Sequence, residues 1–128
     1  MSYNLGNLFD KIDPRVSVRP RIGLRTLAED LAVNRHTVEK AVRECRQMSF
    51  RAYQHRKLLE AALRLLLYEG ELSEKQIAGR LGYGSTEAFS RSIRRMTGYT
   101  PTQIRQDARR RIAHSLLSKL AEDDSDRY

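Results

Sequence analysis

Two sets of polar residues recur at one helical spacing. Arg35, His36, Glu39, Lys40 and Arg43 form the first. Thr86, Glu87, Ser90, Arg91 and Arg94 form the second. Positions one, four, five and eight residues on from the start of such a set lie along one side of an α-helix. Arginine offers a planar fork of N–H donors, and an ionised glutamate offers acceptors alone. The chemistry open to such faces is hydrogen-bonded recognition of polar edges and of anions. Arg46, Arg95 and Arg105 add cations close to the two sets.

Bond-making chemistry finds no comparable grouping. Cys45 is the single cysteine, so no intrachain disulfide can form and a reducing compartment is the simpler setting. It falls on the apolar side of its helix, which reads as inert core rather than as a redox sensor. His36, His55 and His114 show no metal-ligand spacing with one another or with Cys45. There is no glycine-rich phosphate loop, nucleophile elbow or carboxylate pair in context. The expectation is a protein that is not an enzyme, with no cofactor, no metal and no small-molecule ligand.

Charge points to the partner. Lys plus Arg is 24 against 16 Asp plus Glu, a net +8 on 128 residues. At 40% hydrophobic residues the chain can build a core, so it is not a disordered polycation. A folded domain with this excess suits a polyanion, nucleic acid first. The acidic end Glu122-Asp-Asp-Ser-Asp126 lies outside the expected core, so residues 1–121 are more basic than the total. No apolar run approaches the roughly 18 residues of a membrane span. The start, Met1-Ser-Tyr-Asn-Leu-Gly, lacks the basic and apolar regions of a signal peptide. The expected location is cytoplasmic, with no membrane partner.

The elements that must position the polar sets are helices throughout. Leu5, Leu8, Phe9 and Ile12 predict a short amphipathic helix that Asp13-Pro14 ends. A basic linker over 14–23 follows. Leu24, Leu27, Ala28 and Leu31 predict a second helix. Val38, Ala41, Val42 and Cys45 mark the inner face of a third, with Asn34 as N-cap. Ser49 caps a long helix to residue 68, apolar on more than one side and so central. Ser73-Glu-Lys-Gln76 is a capping box for the next helix. Ser85 caps one carrying Phe89, Ile93 and Met96. Thr100-Pro101 opens a last helix to residue 121, with Ile104, Ala108, Ile112, Leu116 and Leu120 facing inward. The acidic tail then occupies 122–128. No alternating run supports a strand. The fold class is all-α, with about seven helices.

The two halves repeat. Leu27-Ala28-x-x-Leu31-Ala32-Val33 lies over Ile77-Ala78-x-x-Leu81-Gly82-Tyr83 at an offset of 77 − 27 = 50. Beyond the turn the offset is 85 − 34 = 51: Asn34 meets Ser85, Val38 meets Phe89, Val42 meets Ile93, Cys45 meets Met96, Ser49 meets Thr100 and Tyr53 meets Ile104. One inserted residue in the second turn explains the change. A short helix, a tight turn and a second helix make a helix-turn-helix unit. The units span 24–48 and 73–98, with the linker helix at 49–68 between them.

The second unit carries a specific resemblance. Ile77-Ala78-x-x-x-Gly82-Tyr83, Phe89-Ser90-Arg91-x-x-Arg94-Arg95 and Gly98-Tyr99-Thr100-Pro101-x-x-Ile104-Arg105 closely resemble the AraC/XylS transcription regulators. The likeness extends through Leu27-Ala28, Tyr53 and Leu59-x-x-Ala62-x-x-Leu65-Leu66, and covers roughly residues 5–106. It implies two helix-turn-helix units joined by a long helix. Several positions depart from the pattern. Ala32 stands where a turn glycine would ease a positive φ, at a cost on the order of 1 kcal/mol. Gln47-Met48 replaces a glycine-containing pair, Ile93 and Ile104 replace aromatics, and Leu58 replaces an arginine. The first unit alone also resembles the GntR-type pattern, which the second unit argues against.

The resemblance implies roles. His36, Glu39 and Lys40 would be one base-reading set, and Thr86, Glu87, Ser90 and Arg91 the other. Arg91 suits guanine, and Glu39 and Glu87 suit cytosine N4. Arg35, Arg43, Arg46, Arg94, Arg95 and Arg105 would meet phosphate, as would backbone N–H groups at the helix starts. An isolated cation on a solvated face needs no such role; the grouping of Arg91, Arg94 and Arg95 is what calls for one. Tyr53 reads as core rather than as a phosphate donor. A linker of about 20 residues spans about 30 Å, close to the roughly 34 Å turn of DNA. One chain could then read two successive major grooves as a monomer on an asymmetric site, bending the DNA where the spacing is imperfect. The expected partner is double-stranded DNA, with RNA polymerase a further contact for an activator. Only some 20 residues precede the first unit, so the expectation is a stand-alone member or an excised domain, with the Met1 start favouring the former. The alternative is a helical protein-interaction module, such as an anti-activator, that does not itself read DNA.

Overall fold

The computed structural model describes residues 4–106 and 109–125. Its helices are α1 (Leu5–Val18), α2 (Leu24–Asp30), α3 (Arg35–Arg46), α4 (Phe50–Tyr68), α5 (Glu74–Arg80), α6 (Thr86–Thr97), α7 (Pro101–Gln106) and α8 (Arg109–Ser125). Among the described residues there is no strand, so the chain is all-α as expected. It divides into two units, one up to Leu58 and one from Leu59 onward, and the division falls inside α4.

The first unit is built on α1. Leu8, Phe9, Ile12 and Val16 repeat every three or four residues and are buried. They pack with Val38, Ala41 and Val42 of α3, Leu27 and Ala28 of α2, and Phe50 and Tyr53 of α4. Each large apolar side chain taken from water contributes about 1.5–3 kcal/mol. Asn4 caps α1 by accepting from the Asn7 N–H at 3.1 Å.

Here the predicted end of the first helix is corrected. Helix α1 does not stop at Asp13-Pro14 but continues through Pro14 to Val18. Proline inside a helix costs about 3 kcal/mol, because it removes an N–H and crowds the carbonyl four residues back. That carbonyl belongs to Asp10, an exposed residue to which water has access. In return the apolar face gains another turn, with Ile12 and Val16 fully buried. The linker is therefore the five residues Arg19–Gly23 rather than 14–23.

The second unit buries Leu63 and Leu66 of α4, Ile77 and Ala78 of α5, Phe89 and Ile93 of α6, and Pro101 and Ile104 of α7. Its helix starts are closed by side chains. Ser73 and Gln76 exchange reciprocal bonds of 3.0 and 2.8 Å. Thr100 and Gln103 do the same at 3.1 and 2.8 Å, with Pro101 at the first helical position.

The expected single helix over 101–121 is also corrected. Its described parts are α7, up to Gln106, and α8, from Arg109, and α8 runs past the predicted boundary at 121 to Ser125. Ile104 is fully buried whereas Leu116 and Leu120 are only half-buried. Ala108 and the Ile112 side chain lie outside the described residues. Among the described residues there are eight helices, against about seven expected.

Candidate nucleic-acid interface

The turn within each unit has the same wiring. In the first, Leu31 N–H donates to the Leu27 carbonyl, Ala32 to Glu29 and Val33 to Ala28. In the second, Leu81 donates to Ile77, Gly82 to Gly79 and Tyr83 to Ala78. The central residue is left-handed in both, with φ +56° at Ala32 and +84° at Gly82. Gly84 is the extra residue that the change of offset required, since Asn34 and Ser85 both serve as N-caps. Asn34 accepts from the Thr37 N–H at 2.8 Å, and Ser85 accepts from the Ala88 N–H at 3.1 Å.

These caps start two helices of equal length, each with one apolar and one polar face. On α3 the buried residues are Val38, Ala41 and Val42. Arg35, His36, Glu39, Lys40 and Arg43 are all exposed. On α6 Phe89 and Ile93 are buried, while Glu87, Arg91, Arg94 and Arg95 are exposed and Thr86 and Ser90 half-buried. The structure thus brings each predicted set together on one helix.

Helix electrostatics accounts for some of these charges and not for others. Arg43, Arg94 and Arg95 stand in last turns, where a cation complements the helix dipole. Glu87 stands in the first turn of α6, where an anion is favoured. The first turn of α3 holds Arg35 and His36 and no acid. A cation there opposes the dipole, so local stability does not explain it.

Two of the predicted phosphate residues are occupied within their own units. The Arg46 guanidinium lies 4.5 Å from the centre of the Phe9 ring, and its Nη1 donates to the Cys45 carbonyl at 3.2 Å. Arg105 donates from Nε to the Leu66 carbonyl at 3.0 Å and from Nη2 to the Glu69 carbonyl at 3.1 Å. Arg105 thereby pairs with the Leu66 carbonyl in the last turn of α4, where a helix leaves acceptors unpaired, and adds a second bond to the Glu69 carbonyl, which also accepts from the Leu72 N–H at 3.0 Å.

Further polar contacts tie the helices of each unit together. Tyr53 is buried, as its apolar spacing predicts, and its ring meets Phe9 edge-on at 5.5 Å. Its hydroxyl donates to the Asp13 carboxylate, which also pairs with Lys57 at 3.0 Å. Burial pushes the Asp13 carboxyl up, but Tyr53, Lys57 and Arg46 together hold it below its ordinary value. In the second unit the Tyr83 hydroxyl donates to Ser92 Oγ at 2.7 Å, and the Tyr83 and Phe89 rings lie 5.4 Å apart. Helical periodicity does not disclose these pairs, because each joins residues on different elements. Cys45 is half-buried, and burial pushes its thiol up, away from the reactive thiolate.

A helix-turn-helix domain family matches residues 27–107. No curated protein sequence matches the chain significantly. Among solved structures, the C-terminal domain of the two-component response regulator yesN from Fusobacterium nucleatum is similar over 81% of this chain and 100% of its own, at 24% identity and a TM-score of 0.66. The C-terminal domain of AraT, a response regulator from Geobacillus stearothermophilus, is similar over 81% of this chain and 85% of its own, at 24% identity and 0.67. The DNA-binding domain of AdpA, a global transcriptional factor solved in complex with a target DNA, is similar over 86% of this chain and 96% of its own, at 24% identity and 0.65. These likenesses show the fold.

Proposed function

The chain belongs to the AraC/XylS family of helix-turn-helix DNA-binding regulators, and from that premise we propose that it reads a specific duplex sequence with α3 and α6 in successive major grooves. The family is a class of DNA-binding regulators rather than of enzymes. The observation that carries the finer reading is the pair of matching polar faces. Each begins at a capped helix start and stands opposite a buried apolar face. The likeness to the AdpA domain, solved on its target DNA, supports the same reading.

On this reading His36, Glu39 and Lys40 meet base edges in one groove, and Thr86, Glu87, Ser90 and Arg91 in the next. Arg91 grips guanine O6 and N7 through two parallel N–H bonds. Glu39 and Glu87 accept from cytosine N4. Arg35, Arg43, Arg94 and Arg95 meet phosphate and set the register. The opposed dipole at Arg35 finds its purpose in this anion. Helix α4, with 19 residues, is about 28 Å long. That length suits two grooves about 34 Å apart along the duplex, read by a monomer on an asymmetric site.

The test is selection of bound duplexes from a random pool, followed by titration of the selected site and an unrelated duplex at rising salt. The expected result is one asymmetric motif with two blocks about 10 base pairs apart. Binding should weaken steeply with salt. A pool that returns no motif removes sequence specificity, and no binding at low salt sinks the reading altogether.

A further inference from the structure

In each unit the chain that leaves the recognition helix is tied back to the chain that leads into the helix before it. In the first, Gln54 on α4 donates its side-chain amide to the Ile22 carbonyl, next to the Gly23 N-cap of α2. In the second, Arg105 on α7 donates to the Leu66 and Glu69 carbonyls, at the end of α4 where the chain leaves toward α5. The offset that relates the recognition helices carries Gln54 onto Arg105, since 54 + 51 = 105. A neutral amide in one unit and a cation in the other therefore occupy equivalent places. What they share is an N–H donated to a backbone carbonyl, not a charge.

The difference in residue type has a local cause. The Ile22 carbonyl lies in the short linker Arg19–Gly23, beside the N-terminal end of α2, where the helix dipole disfavours a cation. The Leu66 and Glu69 carbonyls lie at the end of a 19-residue helix, whose negative dipole end and open Leu66 acceptor favour a cation. The fork of arginine also reaches two carbonyls at once.

We infer that Arg105 is a positioning residue that closes the second helix-turn-helix unit as Gln54 closes the first, and that it is not a phosphate contact. It joins the chain leaving α6 to the chain entering α5, and so holds the orientation of α6 within its unit. The inference rests on the DNA-binding reading for its binding measurements only; its stability measurement stands without it.

The experiment compares Arg105→Gln, Arg105→Lys and Arg105→Ala in the full chain. Binding to the selected duplex and to an unrelated duplex is measured over a range of salt, alongside thermal melting. Arg105→Gln should keep the wild-type salt slope. Arg105→Ala should melt earlier than Arg105→Gln. It should also lose about tenfold in affinity for the selected site, the effect of a misplaced recognition helix, with unrelated DNA bound as before. A phosphate contact gives the opposite result. The slope then falls by about 0.9 in Arg105→Gln and Arg105→Lys restores it, which overturns the inference. If Arg105→Ala does not fold, the Gln and Lys variants decide alone. If the wild-type chain binds no DNA, the DNA reading fails, and the clamp is judged by whether Arg105→Ala and Gln54→Ala both melt early. Wild-type melting in Arg105→Ala also overturns it.

Discussion

The two helix-turn-helix units solve the same geometric problem with different residues. Both place a left-handed residue in the turn and another at the end of the helix that follows it. The second unit puts glycine at both, Gly82 and Gly98, with φ +84° and +83°. The first puts Ala32 and Gln47 there, with φ +56° and +53°. A side chain in that region costs roughly 1–2 kcal/mol. The first unit thus carries strain that the second avoids.

Their interiors differ in a complementary way. The first unit joins α1 to α4 through a polar pair, Asp13 and Tyr53. The repeat places Leu63 and Ile104 at the corresponding positions of the second unit, since 13 + 50 = 63 and 53 + 51 = 104. Both are fully buried. A directional hydrogen bond in one unit stands where apolar burial stands in the other. The same positions of a fold therefore constrain shape and conformation more tightly than they constrain chemistry.

The largest expected effect tests the asymmetry between the recognition faces. Arg91 and Lys40 are equivalent, since 40 + 51 = 91. Arg91→Ala should weaken the selected site by about 1–3 kcal/mol and relax sequence preference there. Lys40→Ala should cost less, because an ammonium is a point charge without the planar fork of arginine. Competition binding against single-base variants of the site measures both. If Arg91→Ala leaves the preference intact, α6 does not read bases through it.

A smaller effect belongs to the polar pair. Tyr53→Phe keeps the ring against Phe9 but removes the hydroxyl, and should cost about 1–2 kcal/mol in chemical denaturation near neutral pH. Asp13 is held below its ordinary carboxylate value of 3.8. Its contribution is therefore fully present above that value and is lost as the pH falls through the lowered folded value. Tyr53→Phe should accordingly flatten the acid limb of the stability profile. An unchanged acid limb would remove the hydroxyl from that balance.

The smallest effects exchange the two solutions to the turn. Beyond the adjoining residues no atom lies within 4 Å of a Cβ placed on Gly82 or Gly98, so alanine there meets only the strain of its own backbone. Gly82→Ala and Gly98→Ala should each cost about 1 kcal/mol from backbone conformation alone. Ala32→Gly should stabilise by up to about 1 kcal/mol. Gln47→Gly should gain less, because it also loses the 2.8 Å bond from Gln47 Nε2 to the Glu44 carbonyl. Melting curves of the four variants, compared pairwise, check the signs. Stabilisation by Gly82→Ala would contradict the strain account.

Much of this was legible along the chain. Helical spacing, the caps at Asn34, Ser73 and Ser85, and the shift of offset at Gly84 all follow from neighbours in sequence. So does the placement of each polar set on a single helix. Errors arose where local rules met tertiary contacts. Pro14 signals a helix end, yet the burial of Val16 and the pairing of Asp13 with Tyr53 and Lys57 carry α1 past it. Arg105 reads as one more surface cation until its partners at Leu66 and Glu69 are seen.

The sequence by itself therefore determined the helix content, the twofold repeat, the family and the two polar faces. These depend on periodicity and capping, which act over three or four residues. Only the tertiary structure decided which cations stay free of their own unit and which are bound within it. Arg46 over Phe9, Arg105 on the end of α4, and Asp13 between Tyr53 and Lys57 each join residues 36 to 44 positions apart. Such pairs leave no periodic trace, because the distance that matters to them is measured through space and not along the chain.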